Sequence, residues 1–345
     1  MISFENDYST GAHPRILEAL AATNLEPTPG YGGDRFCGSA VAHIRAACDD
    51  ETADVFFLTG GTQTNAVVIS ALLAGHEGVI AADTGHIAVH EAGAIEATGH
   101  KVLTVPECDG KLRAAAVEAY LEAFYADASY THMVFPGMVF IAHPSELGTL
   151  YSLAELEELS ALCRRYQIPL YLDGARLAYG LAAPGTDVTL ADIARLADAF
   201  YIGGTKNGAM FGEALVITRP ELTDGFFRMK KRMGAVMEKG WIQGVMFQAL
   251  FTDDLYFHMA RHANEMAARL QDGLRAKGWT LWVDSPTNQV FAVVDNALKP
   301  QLDAVCDYED WCPYDGSHTV VRFVTCFQTS QEDVDGLLAA LPDLH

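Results

Sequence analysis

Short apolar runs alternate with longer stretches of helical periodicity through the chain as far as residue 217. The runs are rich in Val, Ile, Phe and Tyr and do not alternate strictly between apolar and polar positions, which is typical of strands buried on both faces. They predict strands at 54–59, 78–83, 100–105, 137–142, 168–173, 198–203 and 212–217. The stretches between them predict helices at 62–75, 152–166 and 189–197. This alternation predicts an α/β fold with a largely parallel sheet.

The pattern changes after about residue 220, where the basic stretch "DGFFRMKKRMGAVMEKGW" begins. A long helical segment, two strand-like runs and a last helix follow, at 253–278, 288–294, 319–325 and 331–341. We interpret this part as a smaller α+β domain. The sequence therefore predicts a large domain over residues 1–250, with an N-terminal arm that contributes to the active site, and a small domain over residues 251–345.

Composition excludes several classes of protein. The 345 residues are half apolar, which is enough for two domains. Asp and Glu total 45 against 23 Lys and Arg, and such an acidic chain is a poor partner for nucleic acid or an anionic membrane. The seven cysteines form no C-x-x-C pair, which is typical of thiols in a reducing compartment. With no signal-peptide pattern and no apolar stretch of about 18 residues, we expect a cytoplasmic protein.

The segment "LTGGTQTNAVV" (58–68) is a candidate phosphate site. A strand ends, Gly60 and Gly61 follow, and a helix is expected to open at Thr62. The free N–H groups of a helix start bind anions, glycines let a ligand approach the backbone, and Thr62 adds a hydroxyl. The alternative is a glycine turn in which Thr62 is an ordinary helix cap. Neither a Walker loop nor G-x-G-x-x-G is present.

Asp173, in "LYLDGARLAYG", ends an apolar strand at its carboxyl edge, where open α/β sheets bind ligands. A buried aspartate needs a cationic partner. That partner is either Arg176, three residues later, or the protonated ring nitrogen of a ligand. Taken alone, this segment favours the local Asp173–Arg176 ion pair.

Lys206 stands between glycines in "DAFYIGGTKNGAMFG", directly after an apolar run. A partly desolvated lysine has a lowered pKa, and its neutral amine forms a Schiff base with an aldehyde. Thr205 beside it is placed to reach a phosphate, whereas the alternative is a flexible loop lysine. A phosphate site, a strand-end aspartate and a later strand-end lysine together predict a site for pyridoxal 5'-phosphate, because each part of that cofactor receives a partner.

Two further residues fit such a site. His86 is placed to stack on the cofactor ring; the alternative is a zinc site shared with His90, four residues later. We expect no metal, and we expect His90 and His100 to be structural. Arg322 lies inside the apolar run "TVVRFVT" and must find an anion. That anion is either an intramolecular carboxylate or the α-carboxylate of an amino-acid substrate.

The chain resembles the threonine aldolases of the β-eliminating lyase group. The motifs that carry the resemblance are "PGYGGDRF", "GGTQTN", "GHIAVHEAGAIEATGHKV", "DGARLA" and "YIGGTKNG", in this order over nearly the whole chain. The resemblance implies pyridoxal-phosphate fold type I, with a mostly parallel seven-stranded sheet in the large domain. It also implies cleavage of L-threonine, L-allo-threonine or a related β-hydroxy-α-amino acid to glycine and an aldehyde.

The resemblance also implies roles for individual residues. Lys206 matches the Schiff-base lysine, Asp173 the partner of the pyridine nitrogen, and His86 the ring-stacking histidine. The phosphate-binding turn is matched by Gly61 and Thr62. Arg176 matches a residue near the cofactor's phenolic oxygen and the substrate carboxylate, and Arg322 matches the arginine that binds that carboxylate.

By the same resemblance, the active site is shared between subunits of a homodimer or homotetramer. Tyr31 matches a tyrosine that reaches the site from a neighbouring subunit. The basic stretch with Arg232 and Lys239 resembles a segment that contributes a phosphate contact across the dimer.

The chain departs from the family pattern in two places. Asn6 stands where many threonine aldolases have a serine that touches the substrate carboxylate, and Glu146 stands where many have a histidine near the substrate hydroxyl. Glu146 or, alternatively, His143 is then the base for the β-hydroxyl proton. Three other functions stay open: β-elimination to a 2-oxo acid and ammonia, nucleotide or NAD binding, and a non-catalytic relative that only binds ligand.

Overall fold

The computed structural model of the protein describes residues 2–344. Its strands are β1 (Ile2–Ser3), β2 (Asp54–Leu58), β3 (Glu77–Ala82), β4 (Val102–Val105), β5 (Phe135–Ala142), β6 (Leu170–Asp173), β7 (Ala199–Gly203), β8 (Glu213–Ile217), β9 (Thr280–Val283), β10 (Gln289–Asp295), β11 (Cys306–Asp307), β12 (Glu309–Pro313) and β13 (His318–Val324). Its α-helices are α1 (Pro14–Thr23), α2 (Arg35–Cys48), α3 (Gly61–Leu72), α4 (His86–Val89), α5 (Ala114–Ala126), α6 (Leu153–Tyr166), α7 (Leu177–Leu181), α8 (Leu190–Leu196), α9 (Phe226–Arg232), α10 (Trp241–Leu250), α11 (Leu255–Ala276), α12 (Lys299–Asp303) and α13 (Gln331–Ala340). Short 3-10 helices lie at Glu96–Thr98, Tyr130–His132 and Pro220–Leu222.

The central sheet has seven strands in the order β2-β8-β7-β6-β5-β3-β4. β8 runs antiparallel to both of its neighbours, and the other pairs are parallel. β6, β7 and β8 are buried at every position, which explains their continuous apolar sequences. All seven strands predicted before residue 218 are present, and the mostly parallel sheet is confirmed.

Helices cover the sheet on both faces. Alternate residues of β7 enter different hydrophobic clusters: Phe200 and Ile202 lie in one, Ala199 and Tyr201 in the other. The predicted helices between the strands are confirmed as α3, α6 and α8. α6 begins with a capping box between Ser152 and Glu155.

A second, antiparallel sheet follows in the order β12-β13-β10-β9. Helices α11 and α13 pack beside it and share a hydrophobic cluster with its inner face, including Leu270, Val290, Val321, Phe323 and Leu337. The α+β character predicted for the C-terminal part is confirmed. The predicted boundary between residues 250 and 251 falls at the end of α10 and stays a prediction.

The first residues of the N-terminal arm pack against the C-terminal part of the chain. β1 pairs in parallel with β11. Phe4 donates its N–H to the carbonyl of Asp307 (2.9 Å) and accepts from Val324 N–H (2.8 Å). Asp7 and Tyr8 follow directly, so this packing fixes where their side chains lie.

No helix within residues 2–344 combines the length and the apolar character needed to cross a bilayer.

Candidate active site

A cavity of about 290 Å³ opens at the carboxyl ends of the parallel strands. Its walls come from the segments that follow β2, β3, β5, β6 and β7, together with Tyr8 of the N-terminal arm and Glu213 at the start of β8. Among its lining residues are eight of those expected from the sequence: Gly61, Thr62, His86, Glu146, Asp173, Arg176, Thr205 and Lys206. The position agrees with the rule that open α/β sheets bind ligands at this edge.

The start of α3, which follows β2, forms one part of the cavity wall. This helix begins at Gly61, one residue earlier than predicted, and its N-cap Gly60 makes no side-chain capping bond. Thr62 is therefore inside the first turn, and the alternative that it is an ordinary cap is wrong. The first turn leaves the N–H groups of Gly61, Thr62 and Gln63 without acceptors inside the helix, which suits an anion. A side chain at Gly61 would place its Cβ 3.0 Å from the Tyr201 hydroxyl, so a larger residue there would require the Tyr201 side chain to shift.

Asp173 is buried and makes no ion pair among residues 2–344. Its carboxylate accepts hydrogen bonds from Asn65 Nδ2 (3.0 Å), the backbone N–H of Ala175 (2.9 Å) and the Tyr201 hydroxyl. The predicted alternative of a local Asp173–Arg176 pair is wrong. A buried carboxylate with three neutral donors and no cation suits a ligand that brings a positive charge, such as a protonated ring nitrogen.

Arg176 pairs instead with Asp7 of the N-terminal arm. Its Nε and Nη2 donate to the two oxygens of Asp7 at 2.8 and 3.0 Å, and Asn288 Nδ2 donates to the same carboxylate at 2.9 Å. Burial alone would raise the pKa of Asp7, but the positive charges of Arg176 and Lys206 and these hydrogen bonds hold that pKa below its ordinary value. The pair anchors the arm at the cavity.

Lys206 lines the cavity with its Nζ 5.9 Å from the centre of the Tyr8 ring. Burial, and then the positive charge of Arg176, lower the pKa of this amine more than Asp7, Glu146 and Asp173 raise it. The backbone is fixed on both sides of the side chain. The Tyr179 hydroxyl donates to the Lys206 carbonyl (2.5 Å), and Asn207 Nδ2 donates to the carbonyl of Tyr256 (2.8 Å). The alternative of a flexible loop lysine does not describe this site.

His86 is connected to Asp173 through two buried side chains. Its Nδ1 lies 2.8 Å from Glu91 Oε1, and Asn65 Nδ2 donates to that same oxygen (2.8 Å) as well as to Asp173. Asn65 in turn accepts from the Tyr171 hydroxyl (2.8 Å). Burial by itself lowers the pKa of His86, but the bond to Glu91 and the negative charges of Glu146 and Asp173 raise that pKa above its ordinary value.

The other histidines of this segment lie outside the network. His90 is exposed and directly follows the four-residue helix that begins at His86. The ring centres of the two histidines are 5.8 Å apart. No group of three His, Cys, Asp or Glu side chains within residues 2–344 is placed to hold a metal ion. His100 is buried with Nδ1 2.9 Å from the carbonyl of Glu77, so its structural role is confirmed.

Thr205 touches the cavity, but its hydroxyl is engaged by protein groups. It donates to Glu213 Oε1 (2.8 Å) and accepts from the N–H of Gly212 (2.9 Å). Glu213 also accepts from the N–H of Gly204 (3.0 Å), and burial raises the pKa of its carboxyl to about 8. The expected contact of Thr205 with a phosphate stays a prediction.

Of the two candidate bases, only Glu146 lines the cavity. His143 is fully buried behind it. The Nδ1 of His143 accepts from the N–H of Tyr151 (3.4 Å), and burial lowers the pKa of the ring to about 4. His143 is thus separated from the position where a substrate hydroxyl would lie.

Two residues expected at the substrate carboxylate are not in the cavity wall. Arg322 forms an intramolecular ion pair with Glu309, which is the alternative predicted for it. The Oδ1 of Asn6 accepts from the Tyr8 N–H and the Ser9 hydroxyl, both at 2.9 Å, and so closes a local turn. Tyr8 lines the cavity in its place.

The residues expected to act across a subunit boundary lie on the surface of this chain. Tyr31 is half exposed, with a backbone φ of 63° and the Nζ of Lys231 4.6 Å from its ring centre. Arg232 and Lys239 are exposed at the end of α9 and in the following turn. Their roles in a neighbouring subunit stay predictions.

Sequence reasoning missed Tyr8, Asn65, Glu91, Tyr201 and Glu213, which line the cavity, and Asp7, which holds Arg176 beside it. Two of them had usable signals. Asn65 is one helical turn after Thr62 and so shares its face, and Glu213 is a charged residue inside an apolar run, like Arg322.

A family model described as beta-eliminating lyase matches residues 4–297, which is most of the chain. The chain belongs to the beta-eliminating lyase family. Within this family it is similar to the low specificity L-threonine aldolase of Pseudomonas sp., with 30% identity over 272 residues that cover 77% of this chain and 76% of the relative. It is also similar to the low specificity L-threonine aldolase of Pseudomonas aeruginosa, with 28% identity over 305 residues that cover 88% and 86%.

Solved structures resemble this chain over nearly its whole length. A threonine aldolase of Leishmania major is 43% identical with a TM-score of 0.95, and 98% of each chain is covered. An aspartate aminotransferase of Thermus thermophilus has a TM-score of 0.70 at 16% identity, with 99% of this chain and 90% of that chain covered. At that identity the second likeness concerns the fold alone. The aspartate-aminotransferase-type fold expected from the motifs, fold type I, is confirmed.

Proposed function

We propose that this protein is a pyridoxal-phosphate-dependent aldolase that cleaves L-threonine, L-allo-threonine or a related β-hydroxy-α-amino acid to glycine and an aldehyde. The observation that carries the proposal is the placement of Lys206 and Asp173 in one cavity, one with a lowered pKa and the other buried without a cation. Similarity to three threonine aldolases over most of their length supports the same activity.

The donor set of the cavity fits the cofactor. The first turn of α3, with Gly61 and Thr62, offers N–H groups to a phosphate, and Thr205 lies beside that turn. Lys206 would hold the aldehyde covalently. Asp173 would pair with the ring nitrogen and His86 would lie against the ring. When bound, pyridoxal phosphate supplies an electron sink for the electron pair of the breaking Cα–Cβ bond.

The chain's own residues would position the amino acid and move its proton. Arg176, held rigidly by Asp7, presents a fixed positive charge in the cavity for the α-carboxylate, and Arg322 adds a second cation nearby. Glu146, which lines the cavity, would take the β-hydroxyl proton and so start the cleavage. Asp173, held in place by its three donors, would favour a protonated ring nitrogen.

We also infer that the working enzyme is a homodimer or homotetramer in the cytoplasm. Tyr31, Arg232 and Lys239 are available at the surface to complete a neighbouring site. The seven free cysteines are in keeping with a reducing compartment.

The decisive experiment identifies the products formed from L-threonine by the enzyme loaded with pyridoxal phosphate. Glycine and acetaldehyde in equal amounts are expected. The family's description also names β-elimination, which would give 2-oxobutyrate and ammonia instead. Those products, or no turnover of any β-hydroxy amino acid by an enzyme that binds the cofactor, would contradict the proposed aldolase.

A further inference from the structure

One nitrogen of the Arg322 guanidinium, Nε, has no hydrogen-bond acceptor within residues 2–344. The Nη2 of Arg322 donates to Glu309 and its Nη1 donates to Gln289 Oε1 at 3.0 Å. Its Nε is buried without any acceptor in the part of the chain that the structure describes. Because an unpaired buried donor of a charged group is costly, this N–H indicates an acceptor that the protein itself does not provide.

Arg322 is one side chain away from the cavity. Gln289, which accepts from Arg322, donates through Nε2 to the carbonyl of Glu146 at 3.5 Å. The preceding residue, Asn288, binds the Asp7 carboxylate that holds Arg176. Two adjacent residues where β10 begins, Asn288 and Gln289, thus lie between the Arg322 guanidinium and the cavity. They connect it to Arg176 and Glu146, the two cavity residues that would face a substrate.

The two side chains of the Arg322–Glu309 pair differ in their exposure to solvent. The Arg322 side chain is 8% exposed, whereas that of Glu309 is 44% exposed. Glu309 lies directly opposite Arg322 in the register of β12 and β13, and β12 is the edge strand of its sheet. Trp311, two residues further along β12, covers the guanidinium with its ring centre 5.0 Å away. Glu309 is therefore free to turn into water while Arg322 stays in place.

We propose that Glu309 competes with the α-carboxylate of the amino acid for Arg322 and thereby sets the affinity of the site for amino acids. The inference rests on the proposed function. Asp7 does not have this role, because its carboxylate is fully enclosed by Arg176 and Asn288. Glu309 acts through Arg322 and is a specificity-determining residue, not a catalytic one.

The test measures glycine binding to the loaded enzyme by the change that glycine causes in the visible absorption of the cofactor. Glu309→Gln and Glu309→Ala should lower the dissociation constant for glycine about fivefold to tenfold, as expected for removing one half-exposed competing charge. The KM for the β-hydroxy amino acid should fall by a similar factor, with kcat nearly unchanged. The absorption of the glycine-free enzyme should stay that of the wild type.

Two comparisons make the test specific. Asp310→Asn removes a charge from the neighbouring position of β12, where the carboxylate pairs with Lys299, and should leave glycine affinity unchanged. In an Arg322→Gln background, Glu309→Gln should have no further effect, because the competition needs the arginine.

Unchanged glycine affinity in both Glu309 variants, or an equal gain in Asp310→Asn, would overturn the inference while the proposed function stands. A wild-type enzyme that binds the cofactor but shows no response to glycine at any concentration would overturn the proposed function and this inference with it.

Discussion

Arg176 forms its ion pair with Asp7, which is far away in the sequence, and not with Asp173, which is three residues away. The two bonds to Asp7 are 2.8 and 3.0 Å long and fully buried. Because Arg176 pairs with Asp7, the strand-end carboxylate of Asp173 accepts hydrogen bonds from neutral donors. It also makes the N-terminal arm a structural part of the cavity.

Asp7→Asn should destabilise the protein strongly. The change leaves Arg176 charged and buried without its counter-charge, which costs about 3–5 kcal/mol. Denaturant unfolding of the variant and the wild type measures the difference. Asp253→Asn, which removes an exposed partner of Arg15, is the matched control and should cost less than about 1 kcal/mol. Equal effects of the two changes would contradict the importance assigned to the buried pair.

The same pair has a defined pH dependence. The folded-state pKa of Asp7 lies below its ordinary value of 3.8, so the stability it contributes is fully present above that value. It is lost as the pH falls through the lowered pKa. The stabilities of the wild type and Asp7→Asn, measured by unfolding at each pH, should therefore converge at low pH, separate as the pH rises from the lowered pKa towards 3.8, and differ by a constant amount above that value. Parallel curves of stability against pH would show that Asp7 is not the group that titrates.

Glu91→Gln should lower the pKa of His86. Among the groups that oppose the effect of burial, the bond to Glu91 is the largest, and removing its charge leaves burial to favour the neutral ring. NMR titration of the histidine ring signals, assigned with a His86→Asn variant, measures the change. Glu96→Gln removes an exposed charge from the same segment and should leave this pKa where it is in the wild type. An unchanged His86 pKa in the Glu91→Gln variant would contradict the role assigned to Glu91 in this network.

Lys206→Arg should abolish both the visible absorption of the bound cofactor and the aldolase activity. Arginine keeps the positive charge but cannot form the covalent link, so activity should fall by at least about a thousandfold. Absorption spectra and product assays measure the two losses. Lys101→Arg makes the same replacement at an exposed lysine and should change neither. Retained visible absorption in the Lys206 variant would refute the assignment.

Glu146→Gln should lower kcat for cleavage by about a hundredfold or more while the cofactor spectrum stays normal. The amide keeps the shape of the side chain but cannot take the β-hydroxyl proton. Steady-state kinetics measure the loss. Full activity of this variant would mean that another group accepts the proton. His143 is a poor substitute because it does not reach the cavity.

The central sheet could be predicted from the sequence because its strands are buried on both faces and read as continuous apolar runs. The edge strands β9 and β12 were missed, since half of their positions face solvent and the runs are broken by residues such as Glu309 and Asp310. Helices α1, α2, α5 and α10 were not predicted either.

The candidate site could be predicted where chemistry is concentrated in a short motif. Lys206, Asp173 and the start of α3 carry their signal locally, and all three lie in the cavity. Asp7, Asn65 and Glu91 are ordinary polar residues in their own segments. Their role in the site becomes visible only in the folded protein, where residues far apart in the sequence come into contact, as in the hydrogen bond from Asn65 to Asp173.

The pairing of β1 with β11 has a consequence for synthesis of the chain. The arm that carries Asp7 leaves the ribosome before the strand partner of β1 at Cys306–Asp307 and before the contact of Phe4 at Val324. Asn288, which also binds Asp7, emerges after the arm as well. The arm therefore cannot take up its final position in the nascent protein until the segment up to Val324 has been translated, and the cavity is completed only then.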